Sequence, residues 1–336
     1  MELAGIPLWI WGCFLGFVFV MLALDLGVFH RHAHEVKMKE ALGWSAVWIV
    51  IALIFNAGIF AFWDQIQPHS QYTPAQAGQA FLAGYLVEKA LSVDNIFVFL
   101  LVFTYFNVPA KYQHRVLFWG ILGALIFRGI FIALGAALLT KFFWTMLIFG
   151  GFLVFTGVKM LVMKDKEMDP GKNPAVKLVR KLFPVTDDYV DQKFFTRIDG
   201  KLWATPLFVA LIVVEFTDII FAVDSIPAIF AITADPFIVF TSNVFAILGL
   251  RALFFAVSGL VQLFHYLKYG LAAILIFVGG KMLFNYFAHD NPLIFGWKKF
   301  PINLSLFIIA GILLASILAS VIFKPKEEGH PPASEA

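Results

Sequence analysis

Apolar runs long enough to cross a bilayer recur along almost the whole chain. A helix rises about 1.5 Å per residue, so roughly 20 apolar residues span the hydrocarbon core. Windows of that length fall at about 7–29, 42–63, 80–106, 115–139, 143–163, 203–233, 237–260, 267–288 and 302–323. With 61% of residues hydrophobic and 14% charged, a soluble core could not enclose so much apolar surface. The reading is an all-α polytopic membrane protein of about nine transmembrane helices, with the lipid bilayer as its first partner. Only Glu2 is charged ahead of the first run, so that run reads as a span rather than a cleaved signal peptide. The single cysteine, Cys13, excludes an intrachain disulfide and any Cys-x-x-Cys pair. Net charge is only +3, and no nucleic-acid partner is expected.

The basic residues are unevenly distributed. Alternating spans put the loops at 30–41, 107–115, 164–202 and 261–268 on one side, together with the C-terminal tail, and these hold most of the 25 Lys and Arg residues. The opposite side holds Lys141, Lys298 and Lys299. The positive-inside rule then places the N-terminus outside and the C-terminus in the cytoplasm. Lys89, Arg128, Lys159, Arg251 and Lys281 fall within spans.

Acids also fall within spans, where each costs roughly 2.5–3.5 kcal/mol on insertion scales and is a functional candidate by default. One segment reads Glu88-Lys-Ala-Leu-Ser-Val-Asp94-Asn95-Ile96, and the other Glu215-Phe-Thr-Asp218-Ile-Ile-Phe-Ala-Val-Asp224-Ser225-Ile226. Both fit one template: an acid, five residues, an aspartate, a small polar residue and an isoleucine. Arg128 follows Asp94 in the next span and Gly157-Val-Lys159-Met-Leu in the third; Arg251 and Gly279-Gly-Lys281-Met-Leu follow Asp224 in the same order. An odd number of spans per unit turns the second unit over, which predicts an inverted repeat of two three-helix units with a midplane site at their interface. The chain then divides into a two-helix segment at 1–66, a first unit at 79–163, a cytoplasmic loop at 164–204, a second unit at 205–288, a last helix at 302–323 and a cytoplasmic tail at 324–336.

Glu88, Asp94, Asn95, Glu215, Asp218, Asp224 and Ser225 offer oxygen ligands, which suit Mg²⁺, Ca²⁺ and Mn²⁺. Asp94 and Asp224 are the leading candidates for direct ligands, with Glu88 and Asp218 close behind; Glu215, facing a tyrosine (Tyr85) at its repeat-related position, has an asymmetric role. Residues six apart lie about 120° apart around a helix, so the paired acids share no stripe. Either the helices unwind locally or not every acid binds the ion. Pro227 can open the turn beside Asp224 and free the Val223 carbonyl. Arg128 and Arg251 are placed to pair with the acids, and Lys89 balances charge with them; Lys159 and Lys281 could instead snorkel to the headgroups. The alternative is a neutral network of buried ion pairs, although such pairs stabilise weakly. Cation binding would couple to proton release or to movement of Arg128 and Arg251.

Weaker features remain. Asp25, near the cytoplasmic end of the first span, reads as an interfacial acid or as a point where an ion comes in, and His30, His32 and His34 follow it as a basic interfacial run. Val176–Phe183 suits a short amphipathic helix at the membrane surface. Residues 194–203 suit a hairpin around Asp199-Gly200.

The segments VEKALSVDNIFVF (87–99), EFTDIIFAVDSIPAIFAIT (215–233) and TSNVFAILGLRALFF (241–255) strongly resemble the TerC family of bacterial membrane proteins. The MLALDLGVF start and the FTGVKML segment add to the match, which is closest to the alkali-induced Alx branch. The resemblance implies a LysE-like transporter fold in the bacterial cytoplasmic membrane and a role in divalent metal homeostasis, chiefly Mn²⁺ export. It implies no enzyme and no tightly bound cofactor, the metal being cargo. The redox label of Alx-like members finds no cysteine pair here. A membrane-embedded regulator of metal, pH, redox or tellurite stress is the second reading. Oligomeric state is not readable from the chain.

Overall fold

The computed structural model describes residues 2–3, 5–24, 38–162, 171, 173–258, 266–290 and 300–322, with side chains at 289 and 290 excepted. Asp25, His30, His32, His34 and the 324–336 tail lie outside the described residues. The order is β1 (Glu2–Leu3), β2 (Ile6–Pro7), α1 (Leu8–Leu24), α2 (Met38–Ile66), α3 (Pro74–Tyr105), α4 (Ala110–Lys141), α5 (Thr145–Val162), α6 (Pro174–Leu182), β3 (Phe195–Ile198), β4 (Lys201–Ala204), α7 (Pro206–Phe230), α8 (Pro236–Leu248), α9 (Leu250–Ser258), α10 (Leu267–Asp290) and α11 (Ile302–Ile322).

The chain is an integral, multi-pass helical protein. Six described helices are long and apolar enough to cross a membrane, or up to seven if α8 and α9, bent by 44°, form one span. The sequence windows number nine, and the difference has local causes. In α3, Glu88, Lys89 and Asp94 interrupt the apolar run, and α1 has 17 described residues. The window at 237–260 is broken at Gly249. Outward side chains such as Phe19, Ile54, Ile130, Phe155 and Phe307 are exposed. That is the pattern of helices solvated by lipid rather than water.

Helix starts are written in X-Pro steps that apolar windows do not detect. Thr73 caps α3 with a reciprocal box: its hydroxyl accepts from Gln76 N at 3.3 Å, and Gln76 Oε1 accepts from Thr73 N at 3.0 Å. Pro74 follows, so the helix begins six residues before the apolar run. Asp235 caps α8, accepting from Phe237 N at 3.0 Å and Ile238 N at 3.1 Å. Asn173 caps α6, whose Ala175, Val176 and Val179 are buried while Leu178 and Leu182 face out. The helix packs on α7, so its apolar face is divided between protein and surroundings. β3 and β4 pair antiparallel around Asp199 (φ 49°) and Gly200 (φ 77°), the two positive φ values of a type I′ turn.

Packing follows a reciprocal scheme. Helix α3 packs on α8 and α4 packs on α7, while α5 packs on α10. Exchanging α3, α4 and α5 with α7, α8 and α10 maps this set of contacts onto itself. The α5–α10 seam is the closest. A methyl on Gly157 would lie 2.8 Å from the Ala272 carbonyl, and one on Gly279 would lie 2.7 Å from the Gly150 carbonyl. The residue numbers rise along one helix as they fall along the other, so α5 and α10 run antiparallel with their backbones in contact. Small residues permit such approach where no hydrophobic force between helices operates.

Candidate functional site

Helices α3 and α7 are continuous through their acids. Pro227 lies inside α7 without ending it, so neither acidic segment unwinds. Helical geometry then holds, and the acids of each segment point to different places.

One place is a buried centre organised by Arg128 of α4. Its guanidinium pairs with Glu88 Oε1 of α3 and, through Nη2 and Nε, with both oxygens of Asp218 of α7 at 3.2 and 3.4 Å. It also donates to Asn243 Oδ1 of α8 at 3.1 Å and to Ser225 Oγ of α7 at 3.4 Å. Glu88 is 0% exposed, Arg128 2% and Asp218 4%, so the group is sealed from lipid and water alike. Four oxygen-bearing side chains from three helices therefore meet at one cation. If both acids are ionised, the guanidinium leaves one negative charge uncompensated, whereas a divalent ion in its place would leave none. These are hard, oxygen-only donors of the type that Mg²⁺, Ca²⁺ and Mn²⁺ take.

The other acids sit around this centre. Asp224, about 9 Å further along α7 than Asp218, is half-buried and accepts from the Thr156 hydroxyl of α5 at 3.3 Å. Asp94 is half-buried on α3, and Asn95 beside it is buried. Glu215 lies against α4 at Gly123, where any side chain would collide with its carboxylate. Among the described residues, no three Asp, Glu, His or Cys side chains converge as a ready-made metal cluster. The structure brings Glu88, Asp218 and Ser225 together at Arg128, with Glu215 one turn before Asp218 on the same face of α7, while Asp94 and Asp224 lie six residues further along their helices than Glu88 and Asp218.

The bases divide as well. Arg251 is buried in α9. Lys89 donates to the Ala246 carbonyl at 3.3 Å, beside the α8–α9 break, where an unbroken helix would use the amide of residue 250. Gly249 leaves room there for Lys89 and Trp48. Lys159 is exposed, as snorkelling requires, but Lys281 is 4% exposed and stays enclosed by the protein. Sequence reasoning passed over Asn243 and Thr156. Both are polar groups in apolar spans, Asn243 within 241–255 and Thr156 directly before Gly157, and that isolation was the available signal.

Fold and centre together define a multi-pass membrane protein built around a buried, charge-lined core. The model of the integral membrane protein TerC family matches residues 73–328, and the chain belongs to that family. It is 51% identical over 327 residues to an uncharacterised membrane protein of Myxococcus xanthus, covering 97% of this chain and 95% of that one. It is 48% identical over 319 residues to a Salmonella typhi protein and 47% identical over 319 residues to one from Escherichia coli K12, covering 95% of each chain in both cases. Both of those proteins are named as candidate membrane-bound redox modulators, Alx. No solved structure matches the chain.

Proposed function

We propose that this protein is a secondary transporter that exports divalent cations, chiefly Mn²⁺, from the cytoplasm through the oxygen-lined centre around Arg128. One observation carries the reading: Glu88 and Asp218, at the same place in the two copies of the acidic template, converge on one guanidinium. Arg128 then acts as an internal stand-in for the cargo. The centre is closed by its own cation when empty, and the ion binds as Arg128 withdraws. Asp94 and Asp224 flank the centre at about 9 Å along their helices and serve as the stations by which the ion arrives and leaves. The antiparallel α5–α10 seam and the reciprocal helix contacts support an inverted repeat of nine spans, the architecture in which alternating access is achieved by rocking one half against the other. Location in the bacterial cytoplasmic membrane, with the N-terminus outside, and proton coupling belong to the same proposal.

A second reading is a membrane-embedded regulator with no transport of its own. The saturation of Arg128 by four partners supports it, since such a network holds α3, α4, α7 and α8 together without any ion. Intracellular manganese in loaded cells lacking their main exporter separates the two. Wild-type protein should lower it, and Asp94→Asn or Asp224→Asn at equal membrane abundance should not. If wild-type protein leaves manganese unchanged, the transport reading fails.

A further inference from the structure

A second polar site lies away from Arg128. A cavity of about 480 Å³ opens among the start of α3, the end of α4, the end of α7, the outer turns of α10 and the start of α11. Leu139, on its wall, is about 16 Å along α4 from Arg128. The distribution of Lys and Arg assigns this end of the bundle to the outside. Lys281 lines the cavity, is 4% exposed, and its ammonium has no hydrogen-bond partner among the described residues. An ammonium withdrawn from water without a partner is strongly unfavourable. Among the described residues the lining contains no Asp or Glu to compensate it.

Two amides of the lining, Asn285 and Gln76, are turned the same way. Asn285 Oδ1 accepts from Phe300 N at 2.9 Å, which leaves its NH₂ as the uncommitted end. Gln76 Oε1 is taken by Thr73 N in the α3 capping box, which leaves its NH₂ likewise. Both amides spend their acceptors on backbone and keep their donors. An ammonium and two amide NH₂ groups thus line one cavity, a set that repels cations and suits an acceptor with negative charge. Phe143 and Phe230 add apolar wall, which lowers the local dielectric and strengthens such contacts.

We infer that this cavity binds a phosphate-type oxyanion against Lys281. The anion is either soluble phosphate or the phosphate of an anionic lipid headgroup, and the inference is independent of the transport reading. The purified full chain in neutral detergent provides the test, by thermal shift and native mass spectrometry. Inorganic phosphate, short-chain phosphatidylglycerol and short-chain phosphatidylcholine are titrated at constant ionic strength. Saturable stabilisation by phosphate assigns the soluble ion. Stabilisation by phosphatidylglycerol over phosphatidylcholine, with none by phosphate, assigns the headgroup. Lys281→Met should weaken binding by about tenfold or more, the worth of one charge-assisted hydrogen bond, and Lys281→Arg should retain it. Should Lys281→Met not remain monodisperse, Asn285→Leu removes a donor while keeping the ammonium and should weaken binding in the same direction. No saturable response to either anion, or an undiminished response in monodisperse Lys281→Met, overturns the inference.

Discussion

Replacing Arg128 by methionine tests the centre most directly. Methionine keeps an unbranched apolar stem and lacks the guanidinium, so the effect reports chiefly that group. That group carries the ion pairs to Glu88 and Asp218 and the hydrogen bonds to Ser225 and Asn243, all buried. Removing one partner of a buried pair costs about 3–5 kcal/mol, mostly because the remaining charge is left uncompensated. Here two acids are left on facing helices, so the upper end of that range applies. Unfolding in mixed micelles should show this loss in metal-free buffer, and millimolar Mn²⁺ should recover a large part of it by taking the position of the guanidinium. Wild-type protein, with its own cation in place, should respond far less. The triple variant Glu88→Gln, Arg128→Met, Asp218→Asn removes the charges together and should recover stability with no response to Mn²⁺. Arg128→Met as stable as wild type would refute the buried pairing. Arg128→Met destabilised but indifferent to Mn²⁺ and Ca²⁺ would refute the view that arginine and cation share one place.

Two other predictions concern packing and pH. Gly279→Ala should destabilise the protein, because the added methyl meets the Gly150 carbonyl at 2.7 Å, while Gly280→Ala, with nothing within 4 Å, should be neutral or stabilising by about 0.5–1 kcal/mol; unfolding in mixed micelles compares the two. On the loop side, Tyr189 donates to the Phe106 carbonyl at 2.6 Å, and burial pushes its hydroxyl up to about 12 from 10.0. The unfolded chain loses this proton first, so the contribution is intact below pH 10 and fades as pH rises towards 12. Ultraviolet titration of Tyr189→Phe should lack that late-titrating phenol.

Much of the architecture was legible in the sequence because it is local. Apolar length announced the spans, Asp199-Gly200 announced a turn with two positive φ values, and the alternation in 176–183 announced α6. The landmark order of acid, arginine and G-x-K-M-L marked two related three-helix units but not which of their helices touch. What stayed hidden is set by rotation and partner choice. Periodicity showed that Glu88 and Asp94 diverge, but only packing could show that Glu88 and Asp218 share Arg128. Asn243 was hidden among apolar neighbours because attention to charge overlooks a neutral amide. The two lysines of the repeated motif look equivalent in sequence, yet Lys159 is exposed and Lys281 is enclosed, because the cavity wall around Lys281 comes from α3, α4, α7 and α11. The break at Gly249 escaped notice for a related reason: a glycine in an apolar run announces nothing until Lys89 and Trp48 are seen to fill the space it leaves.

The glycine-lined seam between α5 and α10 has a mechanical consequence. Where two backbones touch, each carbonyl sits in a notch that only a hydrogen atom can share, and sliding by a single residue would drive a side chain into a main-chain oxygen. The pair is therefore a keyed strut with one permitted alignment. Any conformational cycle must leave it intact as a pivot and confine relative motion to α3, α4, α7 and the bent α8–α9 rod, whose contacts are made through side chains that can change rotamer. If the protein transports as proposed, a crosslink across the strut should leave manganese export unchanged, and one from α4 to α7 should abolish it.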